Sequence, residues 1–246
     1  MQNKQSNVMN QPVELTFDET AARYKEELNR GVSLTGENPE FFAKSRLTWV
    51  AQRLAKWGSH PKKALDFGCG TGGGTPYFFQ AFESIGECVG TDPSPKSLEV
   101  AREQATQLGL NASYFSTPQE AQEARGPVDM AFCNGVFHHI VPEERPAALR
   151  SVWEILKPGG WFVFSENNPW NPMMRYAMSR VSFDKDAILI SPPEAKRLLA
   201  TAGFEVRGLD FLFFFPRLLA FCRPVESLLT RLPVGAQYMV FAQRPQ

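Results

Sequence analysis

The sequence predicts a doubly wound α/β fold, and three observations carry that prediction. Strand-like and helix-like runs alternate from residue 63 to residue 166. The run A-L-D-F-G-C-G-T-G-G-G at 64–74 reads as a strand entering a glycine loop that opens a helix. The run V-G-T-D-P-S at 89–94 reads as a second strand ending on a carboxylate, Asp92, at about the 20-residue spacing of a ribose-binding acid. Together they mark an adenosine-containing ligand lying across the carboxyl ends of a parallel sheet.

The elements follow in order. F-D-E-T-A-A-R-Y-K-E-E-L at 17–28 reads as a short helix. Residues 38–57 read as an amphipathic helix, with Phe42, Leu47, Val50, Leu54 and Trp57 at three- and four-residue steps and Gly58 as its stop. These two form a helical cap over 17–58. K-A-L-D-F at 63–67 is the first strand, and Thr75 and Pro76 stand as N-cap and first residue of the next helix. Residues 87–92 form the second strand. Ser94 caps a helix that carries Leu98, Ala101, Ala105 and Leu108 on one face and stops at Gly109. Strands three and four lie at 112–116 and 128–134. Leu149, Val152, Trp153 and Leu156 line a helix that ends in the K-P-G-G turn at 157–160, before a fifth strand at 160–166. Ser191-Pro192-Pro193-Glu194 reads as a capping box for a helix closed by Gly203. Two further strand-like runs, 204–215 and 236–242, flank a helical insertion at 216–232 broken at Pro224. Such a terminal pair suits an antiparallel sheet edge. The insertion at 167–190 leaves the fifth strand on the ligand side, where such segments build pockets and lids.

Composition bounds the function. The 246 residues allow one substantial core, so 17–246 is read as a single domain behind a disordered tail at 1–16. Lys plus Arg equals Asp plus Glu, 26 each, and no Lys/Arg-rich run supplies a basic face, so nucleic acid is not an expected partner. Cys69, Cys88, Cys133 and Cys222 form no C-x-x-C pair, which fits reduced thiols. The first dozen residues lack the apolar core of a signal peptide, so a cytoplasmic location is expected. The longest apolar run, 209–222, is interrupted by Asp210, Pro216 and Arg217 and is too short to span a bilayer. Around Phe211–Phe215 and Leu218–Leu229 it reads either as a buried edge strand and helix or as a surface for a membrane or greasy substrate. Three histidines and no His/Asp cluster suggest no metal site. Nothing in the sequence sets an oligomeric state.

The loop chemistry narrows the ligand. Gly68, Gly70 and Gly73 also satisfy the dinucleotide spacing G-x-G-x-x-G. Asp66, two residues before the first glycine, would repel a pyrophosphate. It would welcome an α-amino group beside a sulfonium, as in S-adenosylmethionine. Asp92 is placed to accept both ribose hydroxyl protons.

D-F-G-C-G-T-G, V-G-T-D-P-S, V-D-M-A-F-C-N-G-V-F-H-H-I and L-K-P-G-G, over about residues 60–165, together resemble the ordered motifs of class I S-adenosylmethionine-dependent methyltransferases. The resemblance implies a Rossmann-like, seven-stranded, mostly parallel sheet with a reversed last strand, and S-adenosylmethionine as cofactor. It implies that Asp66, Gly68, Cys69, Gly70 and Gly72 line the methionine and ribose. Asp92 would hold the ribose, Pro93 would lie beside the adenine, and Asn134 would meet the methionine end. Where the family often has an acid for the adenine amino group this chain has S-T-P-Q, leaving Thr117, Gln119 or backbone. E-N-N-P-W-N-P and the late L-P-V-G-A-Q-Y are also similar to a subgroup of bacterial class I methyltransferases.

Methyl transfer from a sulfonium needs mainly a positioned, desolvated acceptor, plus a base when the acceptor is a hydroxyl or carbon. His138 and His139 follow the fourth strand and are the candidate bases, against a packing or capping role. Glu166, Asn167 and Asn168 end the fifth strand and either orient the acceptor or anchor the insertion. Tyr24 and Arg46 either close over the cofactor, with Arg46 on its carboxylate, or lie on solvated faces. Trp170, Met173, Met174, Tyr176 and Met178 supply an apolar acceptor wall or pack the insertion on the sheet. The expected reaction is methyl transfer to a small, partly apolar metabolite, on oxygen ahead of carbon or nitrogen. The rivals are an NAD-dependent oxidoreductase and a non-catalytic S-adenosylmethionine-binding scaffold.

Overall fold

The computed structural model describes Asn29, residues 31–181 and residues 187–246. The tail at 1–16, the helix expected at 17–28 with Tyr24, and residues 182–186 of the insertion lie outside the described residues.

The described elements run α1 (Pro39–Lys56), β1 (Lys63–Phe67), α2 (Thr75–Ala81), β2 (Glu87–Thr91), α3 (Pro95–Gln107), β3 (Ala112–Phe115), α4 (Pro118–Arg125), β4 (Val128–Asn134), α5 (Arg145–Ile155), β5 (Leu156–Asn167), α6 (Pro172–Met178), α7 (Pro192–Thr201), β6 (Glu205–Leu212), a 3-10 helix (Arg217–Val225), α8 (Glu226–Leu229) and β7 (Gln237–Gln243). The sheet order is β3-β2-β1-β4-β5-β7-β6. β1 to β5 pair in parallel, and β7 runs antiparallel between β5 and β6. Strand order reverses between β1 and β4, which opens a crevice at their carboxyl ends. Register places Asp66 opposite Phe132, and Phe67 opposite both Thr91 and Cys133.

Period-two alternation decides what each sheet face buries. Leu65, Val89, Ala131, Phe162, Phe164 and Val240 pack against Ala121 of α4, Leu149 and Val152 of α5, and Leu199 of α7. Their sequence neighbours, Ala64, Cys88, Met130, Trp161, Val163 and Phe241, face the other way onto Leu47, Val50 and Leu54 of α1 and Phe78 of α2. Each such aliphatic side chain, fully buried, contributes about 1.5–3 kcal/mol. This is how a cap helix outside the βα alternation is held.

α1 has a second anchor. Buried Asp210 of β6 accepts from Trp49 Nε1 at Oδ2, 2.9 Å away, with Arg53 Nε 2.8 Å from the same oxygen and Arg53 Nη2 donating to Oδ1 at 3.3 Å. The Arg53 guanidinium lies 4.7 Å above the Trp57 ring, which stacks at 4.9 Å on Trp161. Asp210→Ala leaves a half-buried guanidinium and an indole N–H without their carboxylate. We expect a loss of about 2–4 kcal/mol, reduced from the fully buried case by the exposure of Arg53. Urea unfolding midpoints at constant slope measure it, and a loss below about 0.5 kcal/mol would show that α1 is held by its apolar face alone.

Several local expectations are corrected. Gly74, not Thr75, is the N-cap of α2, and the Thr75 hydroxyl instead accepts from Tyr114 at 3.0 Å. Leu108 falls at the C-cap of α3 and is exposed, because the helix ends before turning it inward. Leu156 begins β5 instead of ending α5. K-P-G-G bulges out of that strand, where the register jumps from Val128–Leu156 to Met130–Trp161. Ser191 is the N-cap of α7 without a side-chain cap bond. Pro192 and Pro193 offer no N–H, and Glu194 turns toward Arg145, 3.5 Å away. α4 was not foreseen in the sequence, although Thr117 caps it by accepting from Glu120 N.

The segment between β6 and β7 is mainly a 3-10 helix, since Pro216 and Pro224 limit a regular α-helix. The expected burial of this helix is not met: Leu218, Phe221 and Leu228 are 87%, 78% and 80% exposed. Burial is confined to the strand, where Phe211 and Leu212 face the core. Among the described residues no helix is long and apolar enough to cross a membrane.

Candidate cofactor and acceptor site

The turn after β1 sets the first wall of the site. Gly68 N and Cys69 N both donate to Thr91 O, at 2.8 and 3.0 Å, which folds the glycine loop across the end of β2. Asp92 then locks it: Oδ2 accepts from Gly70 N at 2.9 Å and Oδ1 from Ser94 N at 3.0 Å. Asp92 also lines the cavity, so a carboxylate, the acceptor that a vicinal diol needs, stands at its wall. Gly68 has φ +74°, and a Cβ there would lie 2.3 Å from Val136 Cγ2. Gly70 and Gly73 line the cavity, and a Cβ on either meets nothing within 4 Å. The loop therefore presents bare backbone to open space, as a closely bound ligand requires.

Asp66, Gly68, Cys69, Gly70, Asp92, Pro93, Thr117, Asn134 and Arg46 all line one cavity of about 1320 Å³. Gly72 does not. Its Cα faces α3, with Ala101 Cβ 3.0 Å from a built Cβ, so it serves helix–loop packing instead. Gln119 lines the rim, while the Thr117 hydroxyl is engaged as the α4 cap. Arg46 is half-buried and donates to Gln237 Oε1 at 3.2 Å, so it lies on the cavity and not on a solvated face. Gln237 in turn donates to Asn167 Oδ1 at 2.9 Å, joining α1 to the end of β5.

Burial raises the Asp66 carboxyl to about 7, with the Asp92 charge adding to the rise and Arg46 opposing it. Burial also pushes the thiols of Cys69, Cys88 and Cys133 well up, leaving them protonated and poor nucleophiles.

The opposite wall starts at the end of β4. His138 and His139 both line the cavity, their rings 4.1 Å apart. Glu166 lies behind them, fully buried. Its Oε2 is 2.5 Å from His138 Nδ1, and its Oε1 accepts from Phe137 N at 2.9 Å. It is not a cavity residue, which corrects its reading as a direct acceptor contact. Asn167 lines the cavity, whereas Asn168 anchors the chain, donating to Pro233 O and Gly235 O. Trp170 and Tyr176 also stay outside: Trp170 stacks on Phe211 at 6.4 Å, and Tyr176 lies under the Arg180 guanidinium. Met174 and Met178 line the cavity from the inward face of α6, and Met173 borders it while staying exposed.

The sequence did not reveal the rest of the apolar wall. Phe41 and Phe42 at the start of α1 meet Phe213, with the Phe42 and Phe213 rings 4.9 Å apart. Phe213 holds φ +62° as β6 ends. Glu226 fixes the following turn by accepting from Phe214 N and Phe215 N. Arg223 closes this end, 4.4 Å over the Phe41 ring and 2.8 Å from Glu37. The F-F-F run was the available signal, but as a strand it gave no reason to face a cavity. The volume exceeds the ~300–1,000 Å³ of a site for one drug-sized ligand. One end is polar and acidic and the other aromatic and methionine-rich, which suits two different molecules meeting near the histidines.

The methyltransferase domain family matches residues 65–162, from within β1 into β5. The ubiquinone biosynthesis O-methyltransferase of Bordetella avium is 33% identical over 155 residues, covering 62% of this chain and 59% of that protein. The enzyme of the same name from Bordetella pertussis is 29% identical over 213 residues, covering 81% and 83%. Among solved structures, the plantazolicin methyltransferase BamL, in complex with a triazolic desmethylPZN analog and SAH, superposes with TM-score 0.60. It shares 16% identity and covers 96% of this chain and 100% of its own. A SAM-dependent methyltransferase from Archaeoglobus fulgidus gives TM-score 0.56 at 17% identity, covering 80% and 94%. At these identities the superpositions speak to the fold.

Proposed function

We propose what this chain, a member of the class I S-adenosylmethionine-dependent methyltransferases, does: it moves the methyl group of S-adenosylmethionine to a hydroxyl of a small, partly apolar acceptor. The observation that carries the reading is the single cavity joining Asp66 and Asp92 to His138, His139 and the aromatic–methionine wall. The relatives named as O-methyltransferases support oxygen as the methylated atom.

The residues present fit the cofactor. Asp92 accepts the ribose hydroxyls, Asp66 accepts the ammonium, and Arg46, the guanidinium near Asp66, attracts the carboxylate. Pro93 and Gln119 flank the adenine. The bound cofactor supplies an electrophilic methyl on a sulfonium. The protein's task is to hold the acceptor oxygen in line, exclude water and take the proton. Phe42, Phe213 and Met174 desolvate the acceptor, and Asn134 and Asn167 offer polar contacts at its reacting end. An acid at Asp66 opposes a pyrophosphate, which disfavours a dinucleotide.

Titration calorimetry with S-adenosylmethionine and with NAD tests the cofactor. Binding of NAD alone ends the proposal. Labelled methyl donor incubated with phenolic and other hydroxyl acceptors tests turnover. Cofactor binding without transfer to any acceptor would favour a scaffold.

Asp66 gives a pH prediction. With its carboxyl raised to about 7, pairing with a ligand ammonium requires loss of the proton below that pH. S-adenosylmethionine affinity is expected to fall roughly tenfold per pH unit below 7 and to level off above it. Asp66→Asn binds weakly with a flat profile. In the free protein the sign is the reverse. A carboxyl raised from 3.8 to about 7 favours the fold below the unfolded value and loses that contribution as pH rises through 7. Calorimetry from pH 5.5 to 8.5 measures the first effect; equal affinities at both ends would exclude an ionised Asp66 contact.

A further inference from the structure

We propose that Arg223 is a specificity-determining residue: it ends the acceptor side of the cavity and so limits the length of an apolar tail on the acceptor. The inference rests on the proposed transfer to a hydroxyl and deepens it.

Arg223 ties together three segments at the aromatic end. Its Nη2 lies 2.8 Å from Glu37 Oε1, in the loop before α1. Its guanidinium lies 4.4 Å over the Phe41 ring, at the start of α1. Its Nε and Nη2 both donate to Phe215 O at 3.4 Å, just past β6. Arg223, Glu37, Phe41 and Phe215 all line the cavity. The side chains of the ion pair are 22% and 13% exposed, so it is better shielded than a surface pair. Burial raises the carboxyl of Glu226, opposed by its two backbone bonds and by the Arg223 charge, so a second carboxylate stands near the guanidinium.

Apolar packing does not close this end. No residue of the 3-10 helix or of α8 is buried. Polar contacts hold the segment instead: Arg217 donates to Gly36 O at 3.4 Å, and Glu226 accepts from Phe214 N and Phe215 N. A planar guanidinium stacks on a ring and donates in a fixed fork at the same time, which the point charge of a lysine does not do. Leu218 and Phe221, on the same 3-10 helix, are exposed and do not line the cavity, so apolar surface resumes on the outer side of the segment that carries Arg223.

The consequence is a length limit. A tail gains by covering Phe41, Phe42, Phe213 and Met174, which line the cavity. It gains nothing against a guanidinium already paired with Glu37. A methylene pushed past that point must part a shielded ion pair and leave both charges uncompensated.

Alkyl gallates from methyl to octyl test it, each a hydroxyl acceptor with a tail of set length. Calorimetry with S-adenosylhomocysteine present reads their binding, and labelled methyl donor reads kcat/KM. Each methylene that finds apolar cover is worth about fourfold in affinity. In the native protein we expect that gain to stop at a definite length within the series. In Arg223→Ala we expect it to continue for about two to three further methylenes, about 15- to 60-fold in affinity for the longest tail. Glu37→Ala keeps the arginine but removes its tether, and moves the limit the same way by less. Arg223→Lys keeps the ion pair without the stacked fork, and moves it less than Arg223→Ala. Thermal midpoints accompany each protein, and Glu37→Ala and Arg223→Lys carry the test if Arg223→Ala does not fold. The same limit in every variant, no limit up to octyl in the native protein, or no binding of any gallate would overturn the assignment. Native protein that binds the series with the expected limit and methylates none of it would sink the reading of its function while leaving the role of Arg223 in place.

Discussion

Asp92→Ala abolishes useful binding of S-adenosylmethionine while leaving a folded protein. Two hydroxyl donors on one carboxylate are charge-assisted bonds of about 1.5–3 kcal/mol each, so losing both weakens affinity by about 10²- to 10⁴-fold. The carboxylate has a second duty. It accepts from Gly70 N and Ser94 N and so ties the glycine loop to the start of α3. Asp92→Ala therefore also loosens the loop, which adds an ordering cost to binding. Asp92→Asn separates the two effects: its amide oxygen still accepts one of these backbone bonds, and we expect affinity between the alanine variant and the native protein. The substitution also reaches Asp66. The Asp92 charge is the second cause, after burial, of the raised Asp66 carboxyl, so removing it moves the midpoint of any residual pH dependence downward. Calorimetry across pH measures both quantities. A Kd within threefold of native would mean that the ribose rests elsewhere.

The half of the candidate site around the glycine loop was legible because its residues fall in two short runs, 66–74 and 89–94. Asp66, Gly68, Gly70 and Asp92 lie at the ends of two short strands, β1 at 63–67 as the sequence places it and β2 at 87–91, one residue short of the expected 87–92. What the motif did not reveal was orientation. Gly72 looks like its neighbours in the string, yet its Cα faces Ala101. The three polar residues Glu166, Asn167 and Asn168 read as one group, although a strand sends alternate side chains to opposite faces. Asn167 reaches the cavity while Glu166 goes under the histidine loop. On α6 the helical step does the same sorting: Met174 and Met178 turn in, while Met173, though it borders the cavity, and Tyr176 stay exposed. α4 was missed because only Pro118 and Ala121 are buried, too few to show an apolar stripe. The aromatic wall was invisible for a different reason. Phe41 and Phe213 meet only after the sheet has brought α1 onto the end of β6, a contact no local pattern encodes.

Gly68→Ala is expected to cost about 3 kcal/mol or more in stability and to weaken cofactor binding as well. Two independent penalties add. The residue holds φ +74°, a left-handed conformation that costs a non-glycine residue about 1–2 kcal/mol. The new methyl would lie 2.3 Å from Val136 Cγ2 and 3.1 Å from Val136 Cγ1, a branched side chain on the turn that follows β4. Neither group can retreat easily. Gly68 N is bonded to Thr91 O, and the Val136 turn is held by Phe137 N on Glu166. For a chain of this length the loss corresponds to a thermal midpoint lower by about 6–12 °C. Val136→Ala in the same protein removes the two methyl groups in conflict but leaves the backbone strained, so it recovers part of the loss and not all of it. The comparison has a functional consequence because Val136 immediately precedes the Phe137–His138 pair. If the steric term dominates, Gly68→Ala displaces the histidine loop, and the double variant recovers catalysis more fully than stability. If the backbone term dominates, Val136→Ala recovers neither. Thermal midpoints and S-adenosylmethionine affinity on the four proteins of this cycle decide between them. A Gly68→Ala protein as stable as the native one would mean that the loop does not approach β4 as closely as 2.3 Å requires.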